Sequence, residues 1–184
     1  MQDEIRHSRA LYAVAAAVNS TLEPSSVLMA VVESTAKAMG VKGCSLMLLD
    51  PDSNSLRHGA HYGLSDRYVA KGPVRMDRSS AEPLGGRSTL VLHASTDPRV
   101  QYRDEAVAEG IASMLTVPIR LRGEIVGVMR IYTAEPREFG EEDIEFVEAV
   151  ANLGAIALDN ASRYSEAKED LDQLRSYVFR YGGS

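Results

Sequence analysis

The side chains that decide what chemistry this sequence can do are four histidines, one cysteine and an arginine set in an apolar run. His58 and His61 stand three apart in a segment patterned as a strand. In an undistorted strand they point to opposite faces and cannot share one metal ion. They therefore read, with His7 and His93, as loop or edge histidines rather than ligands. Cys44 is the single cysteine, which excludes an intrachain disulfide framework and a multi-cysteine zinc site. It lies in an apolar run, as a buried and inert thiol does. No nucleophile–base–acid arrangement and no metal-ligand spacing is visible. Gly85-Gly86-Arg87-Ser88 lacks the glycine spacing and the Lys-Ser/Thr ending of a nucleotide loop. The expectation is a protein without catalytic residues, without a metal, and with no identifiable cofactor.

Arg130 is the unusual residue. It interrupts Val126-Gly127-Val128-Met129-Arg130-Ile131-Tyr132, a run otherwise suited to a buried strand. By alternation Val126, Val128, Arg130 and Tyr132 share one face, and Ile125, Gly127, Met129 and Ile131 share the other. Gly127 permits close approach of a helix, so its face is assigned to helices. Arg130 and Tyr132 are left facing a pocket. An arginine there can hold a carboxylate or phosphate bidentately. It can equally pair with Asp66, Asp77 or Glu82, or snorkel at the rim, and the sequence leaves both readings open. Ser79 and Ser80, before Ala81-Glu82, look like caps of a short helix whose N–H groups could meet an anion. Tyr62, Tyr68 and Tyr102 fall in segments that would line the same pocket, as aromatic residues of a filled core also do.

These residues need a scaffold. The segment 112–133 reads as two strands, roughly 112–121 and 124–133, turned at Arg122-Gly123. Neither strand alternates cleanly, so both faces are covered. Helices are expected over about 3–19 and from Pro24 to Gly40, with strands at about 44–49, 56–62 and 89–93 and a short helix near 103–109. Residues 65–88 are the least regular part. A long helix opens after Phe139-Gly140, with Glu141, Glu142 and Asp143 suited to its positive end. Together these predict an α+β fold, with an antiparallel sheet of five strands. Long helices cover one face, and the irregular 65–110 segment lies over the other, where a pocket belongs.

A chain of 184 residues, 45% apolar and 25% charged, is one ordinary globular domain with room for an appendage. Its net charge of −6 and the lack of any basic run argue against a nucleic-acid surface. No stretch reaches the length of a membrane span and no signal-peptide pattern opens the chain, so the cytoplasm is the expected location. The last helix carries a seam, Phe146, Val150, Leu153, Ala157, Asn160, Tyr164, Ala167, Leu171, Leu174, Val178 and Tyr181, at alternating four- and three-residue steps. From 165 onward the flanking residues are mostly charged, which is the coiled-coil pattern. A homodimer through Tyr164, Ala167, Leu171, Leu174 and Val178 is expected, against the alternative that the tail folds back on the first helix.

Gly110-Ile111-Ala112-Ser113-Met114-Leu115-Thr116-Val117-Pro118-Ile119 followed by Gly123-Glu124-Ile125-Val126-Gly127-Val128-Met129 resembles the C-terminal half of a GAF domain. Asp97-Pro98-Arg99, Phe139 with Asp143, and the run from Ala155 to Ala161 stand where that family has such residues. The resemblance spans about residues 8–164, leaving 165–184 as a coiled-coil-like extension. It implies a sheet of five or six strands, a front pocket that would include Ser113, and a non-catalytic sensory or regulatory role. The implied partners are a small molecule and a fused or separate signalling output domain. Ala134-Glu135 and Ile144 depart from the cyclic-nucleotide-binding pattern. One cysteine cannot form the disulfide that GAF-type methionine-sulfoxide reductases use, and Cys44 is misplaced for a bilin thioether.

Overall fold

The computed structural model describes residues 2–20, 23–50, 52–53, 55–75 and 81–181, with parts of the first and last helices as backbone alone. The first helix, α1 (Gln2–Ser20), leads to α2 (Pro24–Met39). Pro24 needs no N–H partner in the first turn, and the Glu23 carboxylate accepts from the Ser26 N–H at 3.0 Å. Gly40 ends α2 in the left-handed region. Strands β1 (Gly43–Asp50) and β2 (Ser55–Tyr62) follow. Next come α3 (Asp66–Val69), β3 (Val74–Arg75), α4 (Ala81–Leu84), β4 (Thr89–Val91) and α5 (Arg103–Ala108), in which β3 and β4 join the sheet as its edge strands and the short helices and loops form the cover. The hairpin β5 (Ser113–Leu121) and β6 (Glu124–Thr133) turns at Arg122 and Gly123, with φ of 52° and 86°. Two successive positive φ angles are what a two-residue hairpin turn of matching twist requires. Helix α6 (Glu141–Tyr181) closes the chain.

The sheet is six-stranded, in the order β3-β2-β1-β6-β5-β4, and each neighbouring pair is antiparallel. The sixth strand, beyond the five read from sequence patterning, is β3, whose two residues pair with Ser55 and Leu56. Behind the sheet, Cys44, Leu46, Leu115, Val117, Met129 and Ile131 meet Val31 and Val32 of α2 and Val147, Val150 and Ala151 of α6. Helix α1 packs chiefly on α2 and α6, forming an outer layer rather than resting on the strands. His7 stacks on Phe146 with ring centroids 4.2 Å apart, and Ala10 and Val14 close the seam. The cover lies over the front face, where Tyr68, Val91, Val100, Ala106 and Ile111 bury against Met114 and Tyr132.

One irregularity reorganises β2. Leu46 pairs with Ala60 while its neighbour Met47 pairs with His58, so Gly59 is an extra residue opposite β1. This is a β-bulge. Gly59 and Ala60 both fall on the helix side, where a Cβ on Gly59 would meet Leu28 at 3.4 Å and where Ala60 joins the core. His58 and His61 consequently share the front face, with ring centroids 6.4 Å apart. The expectation of opposite faces fails because the strand is not undistorted.

The role given to Gly127 also needs correcting. Its face does turn toward the helices, since Met129 and Ile131 do. A Cβ there, however, would stand 2.2 Å from the Met47 carbonyl oxygen, in the neighbouring strand. Gly127 serves close strand approach, not helix approach. Val126 joins the helix-side cluster as well, because a second bulge, between Ile119 and Arg120, breaks the alternation there.

Along α6 the seam is buried or half-buried through Ala157, then Asn160 and Tyr164 are exposed, Tyr164 by 52%. At 1.5 Å per residue the helix runs about 60 Å, well past the sheet. The side chains of Ala167, Leu171, Leu174 and Val178 lie outside those described.

Candidate functional site

The front face of the two central strands builds the floor of the site. β1 presents Ser45 and Met47, and β6 presents Val128, Arg130 and Tyr132. Arg130 is 4% exposed, an expensive place for a guanidinium unless its donors are used. Its Nε donates to the Thr116 hydroxyl at 2.9 Å, and its charge acts on the neighbouring Tyr132 phenol. That phenol also pairs with the Ser45 hydroxyl at 3.0 Å. The Tyr132 and Tyr68 rings meet edge to face, 5.9 Å between centroids, a favoured aromatic geometry. Burial raises the phenol pKa of both, so both remain protonated.

The cover supplies the opposite wall. Lys71 lies above Tyr68, its Nζ 3.7 Å from the ring centroid and 2.9 Å from the Tyr68 carbonyl oxygen. Tyr102 donates to the Pro73 carbonyl at 3.1 Å, and Gln101 Oε1 accepts from the Arg75 N–H at 2.9 Å. These bonds hold the 70–75 segment against the approach to α5. A small void of about 10 Å³ lies among Tyr68, Lys71, Tyr102, Met114 and Arg130. A larger cavity of about 370 Å³ opens at the outer edge of β2, lined by Ser53, Ser55, Arg57, His58, Val69 and Pro73 among others.

Among the described residues, Lys71, Arg130 and His61 act on His58, and Glu105 and Glu109 act on Lys71 in the opposite sense to Arg130. Burial, with Arg130 as the main like charge, lowers Lys71 to about 8. His58 is lowered to about 4 by burial first, then by Lys71, Arg130 and His61. It is neutral near pH 7, and among the described residues neither of its buried ring nitrogens has a hydrogen-bond partner.

The residues singled out from sequence separate into groups. Arg130, Tyr132, Tyr68 and Tyr102 converge on the front face. Tyr62 does not: beyond the bulge its ring lies on the helix side, 5.8 Å from Lys37 Nζ of α2. Ser113 is a tie rather than a wall. Its hydroxyl donates to the Leu92 carbonyl at 2.7 Å and accepts from the Arg137 N–H at 3.0 Å. Ser79, Ser80 and Asp77 lie outside the described residues. Lys71, His58, Thr116 and Ser45 were missed as site residues. For His58 a signal existed, since an isolated glycine in a strand pattern suggests a bulge.

Cys44 is fully buried on the helix side, and burial drives its thiol pKa upward. A thiol in that state is a poor nucleophile. Among the described residues no group of three or more His, Cys, Asp or Glu side chains could hold a metal ion, and no helix is long and apolar enough to cross a membrane. A separate aliphatic cleft of about 300 Å³ opens on the helix side between Leu28, Leu48, Leu121, Val126 and Leu158.

Comparison with known proteins places this geometry. The GAF domain profile matches residues 23–158. A methyl sulfide methyltransferase-associated sensor from Methanosarcina acetivorans is 29% identical over 140 residues, 72% of this chain. The match spans 14% of that relative's length. Among solved structures, the GAF domain of an Acinetobacter phosphoenolpyruvate-protein phosphotransferase superposes with a TM-score of 0.70 at 22% identity, covering 84% of this chain and 93% of that one. A free methionine-R-sulfoxide reductase from Neisseria meningitidis, in complex with its substrate, gives 0.73 at 16% identity, covering 86% and 91%. At those identities the two structures share the fold.

Proposed function

The chain belongs to the GAF domain family, and we propose that it acts there as a non-catalytic sensory module of a signalling protein. In this reading a small molecule occupies the front chamber, between the sheet and residues 65–110, and the last helix carries the response. The observation that carries the reading is the burial of Arg130 on the front face of the sheet. Arg130 is desolvated on a strand whose alternate residues, Met129 and Ile131, pack under α6 and α2. One layer of backbone therefore separates the chamber from the output helix. A ligand that binds one arrangement of the cover more tightly shifts the helix by that difference in affinity and no more.

The output is a dimer through the terminal helices, with residues 1–164 as the sensory unit and the tail from 165 as a coiled coil. Ile5 and Tyr12 of α1, seven residues apart, and Ile156 and Tyr164 of α6 are exposed large apolar side chains. Tyr164 stands in the same four- and three-residue stepping as Ala167, Leu171, Leu174 and Val178. The setting is cytoplasmic, with an output domain as the downstream partner. Burial of Cys44 speaks against a thiol-based reductase activity.

A second reading, a purely structural dimerisation module, draws on the small inner void, since Tyr68, Tyr132 and Met114 fill much of the front face. Light scattering joined to spin-label distances separates the two. The sensory reading expects a dimer at tens of micromolar and an inter-tail distance that changes when extract of the native host is added. A dimer whose tails never respond supports the structural module; a monomer removes both.

A further inference from the structure

The cleft on the helix side of the sheet is a second hollow that the front-face reading does not use. It measures about 300 Å³ and opens between the helices and the strand ends near the hairpin turn, a size at the lower end for small-molecule sites. At Gly154 helix α6 lies tight on α2, since a Cβ there would meet both Val31 methyl groups at 3.3 Å. One turn further on, Leu158 is only half-buried. The bulge that turns Val126 toward the helices adds another apolar side chain to the same wall. Leu48, Leu121, Val126 and Leu158 are all left half-buried around the hollow. The lining is aliphatic apart from Asp159. Apolar cavities of this kind hold no ordered water and take up apolar molecules, and a methylene chain gains contact along its whole length.

Asp159 decides what the head of such a chain must be. Its carboxylate lies on the cleft wall and pairs with Arg122 Nη2 at 2.5 Å and with Arg163 Nε at 3.2 Å. Arg122 follows Leu121 of the wall, and Arg163 stands one helical turn beyond Asp159. Two guanidiniums on one carboxylate leave a net positive charge at the single polar point of the cleft. Both arginine side chains are 60% exposed, and among the described residues neither has a partner besides Asp159. Their remaining N–H groups can hold a second carboxylate without breaking the first pairing. An ammonium head would have to displace the arginines to reach Asp159.

We propose that this helix-side cleft binds an aliphatic carboxylate, a free medium-chain fatty acid. Its chain lies among Leu28, Leu48, Leu121 and Val126, and its carboxylate meets Arg122 and Arg163. The site is separate from the front chamber and does not rest on that chamber holding a ligand. Leu158 and Asp159 belong to α6 and form part of the wall, so the bound chain bears directly on the last helix.

The test uses the full chain with ¹³C-labelled leucine and valine methyl groups, titrated with hexanoate, octanoate and decanoate, and with decanol and decylammonium for comparison. The Leu28, Leu121, Val126 and Leu158 methyls are expected to shift saturably, while Val91 and Val100 on the front face stay in place. Affinity should rise about fourfold for each methylene that the cleft buries, and decanoate should bind at least about fivefold more tightly than decylammonium. Replacing both arginines, Arg122→Gln with Arg163→Gln, should weaken decanoate at least about fivefold and leave decanol unchanged. A damaged fold would weaken both. The proposal is overturned by any of three results: no saturable shift at these methyls, no dependence on chain length or head group, or an unchanged decanoate affinity in the double variant. Binding that fades as protein concentration rises also overturns it, because a second copy of the chain would then be the occupant. Shifts at Val91 and Val100 alone would remove this site and leave the front chamber as the place of binding, so the two readings fail separately.

Discussion

An imidazole buried with both nitrogens unpartnered is a local loss of stability, and its sign with pH follows directly. The folded-state midpoint of His58, about 4, lies below the ordinary 6.5. The unfolded chain therefore takes up its proton first as pH falls. The stability that neutral His58 preserves is intact above about pH 6.5 and is lost as pH drops toward 4. Urea midpoints at pH 7 and pH 4.5 should fall accordingly, and His58→Phe should flatten that slope. The same substitution removes two unsatisfied polar atoms, so at pH 7 it should raise stability by about 1 kcal/mol. Cys44 behaves in the opposite sense to a functional thiol. Its reaction with a disulfide reagent should be at least about a thousandfold slower in the native protein than in denaturant, since it waits on global opening. Fast modification under native conditions would reinstate a thiol role.

At the scale of the elements, two close approaches between β1 and its neighbours shape the site. Gly127→Ala would place a methyl carbon 2.2 Å from the Met47 carbonyl and 3.1 Å from Leu48 Cα. The β1–β6 ladder cannot give without moving the floor of the chamber. A loss of about 3 kcal/mol or more is expected by denaturant titration, in the range of severe overpacking. The bulge at Gly59 is the other device, and it marks where sequence reading reached its limit. Periodicity located the hairpin, both long leading helices and the face of Arg130, because each rests on repeating local patterns. A single inserted residue carries no period, so the sequence places Tyr62 in the chamber lining and His58 and His61 on opposite faces. Strand β3 escaped for a similar reason, since two residues cannot show alternation. Lys71 had no local signal at all: its lowered midpoint comes from burial and from Arg130, distant in sequence and adjacent only in the fold.

For the whole molecule, the layers run from cover to sheet to α2 and α6, with α1 outermost. A response that starts at Arg130 must pass through this stack to reach the tail. Replacing Leu171 and Leu174 together with Asp puts two charges into the expected seam. It should convert a dimer into a monomer by light scattering while leaving the circular dichroism of residues 1–164 largely unchanged. If the tail instead packs on α1 within one chain, that double substitution would lower thermal stability without altering mass. Native mass spectrometry of the protein purified from its own host tests the central claim most directly. The account predicts a dimer carrying one small molecule per chain, released on unfolding and absent from Arg130→Met. Chains that bear no bound mass, and acquire none from host extract, would contradict it.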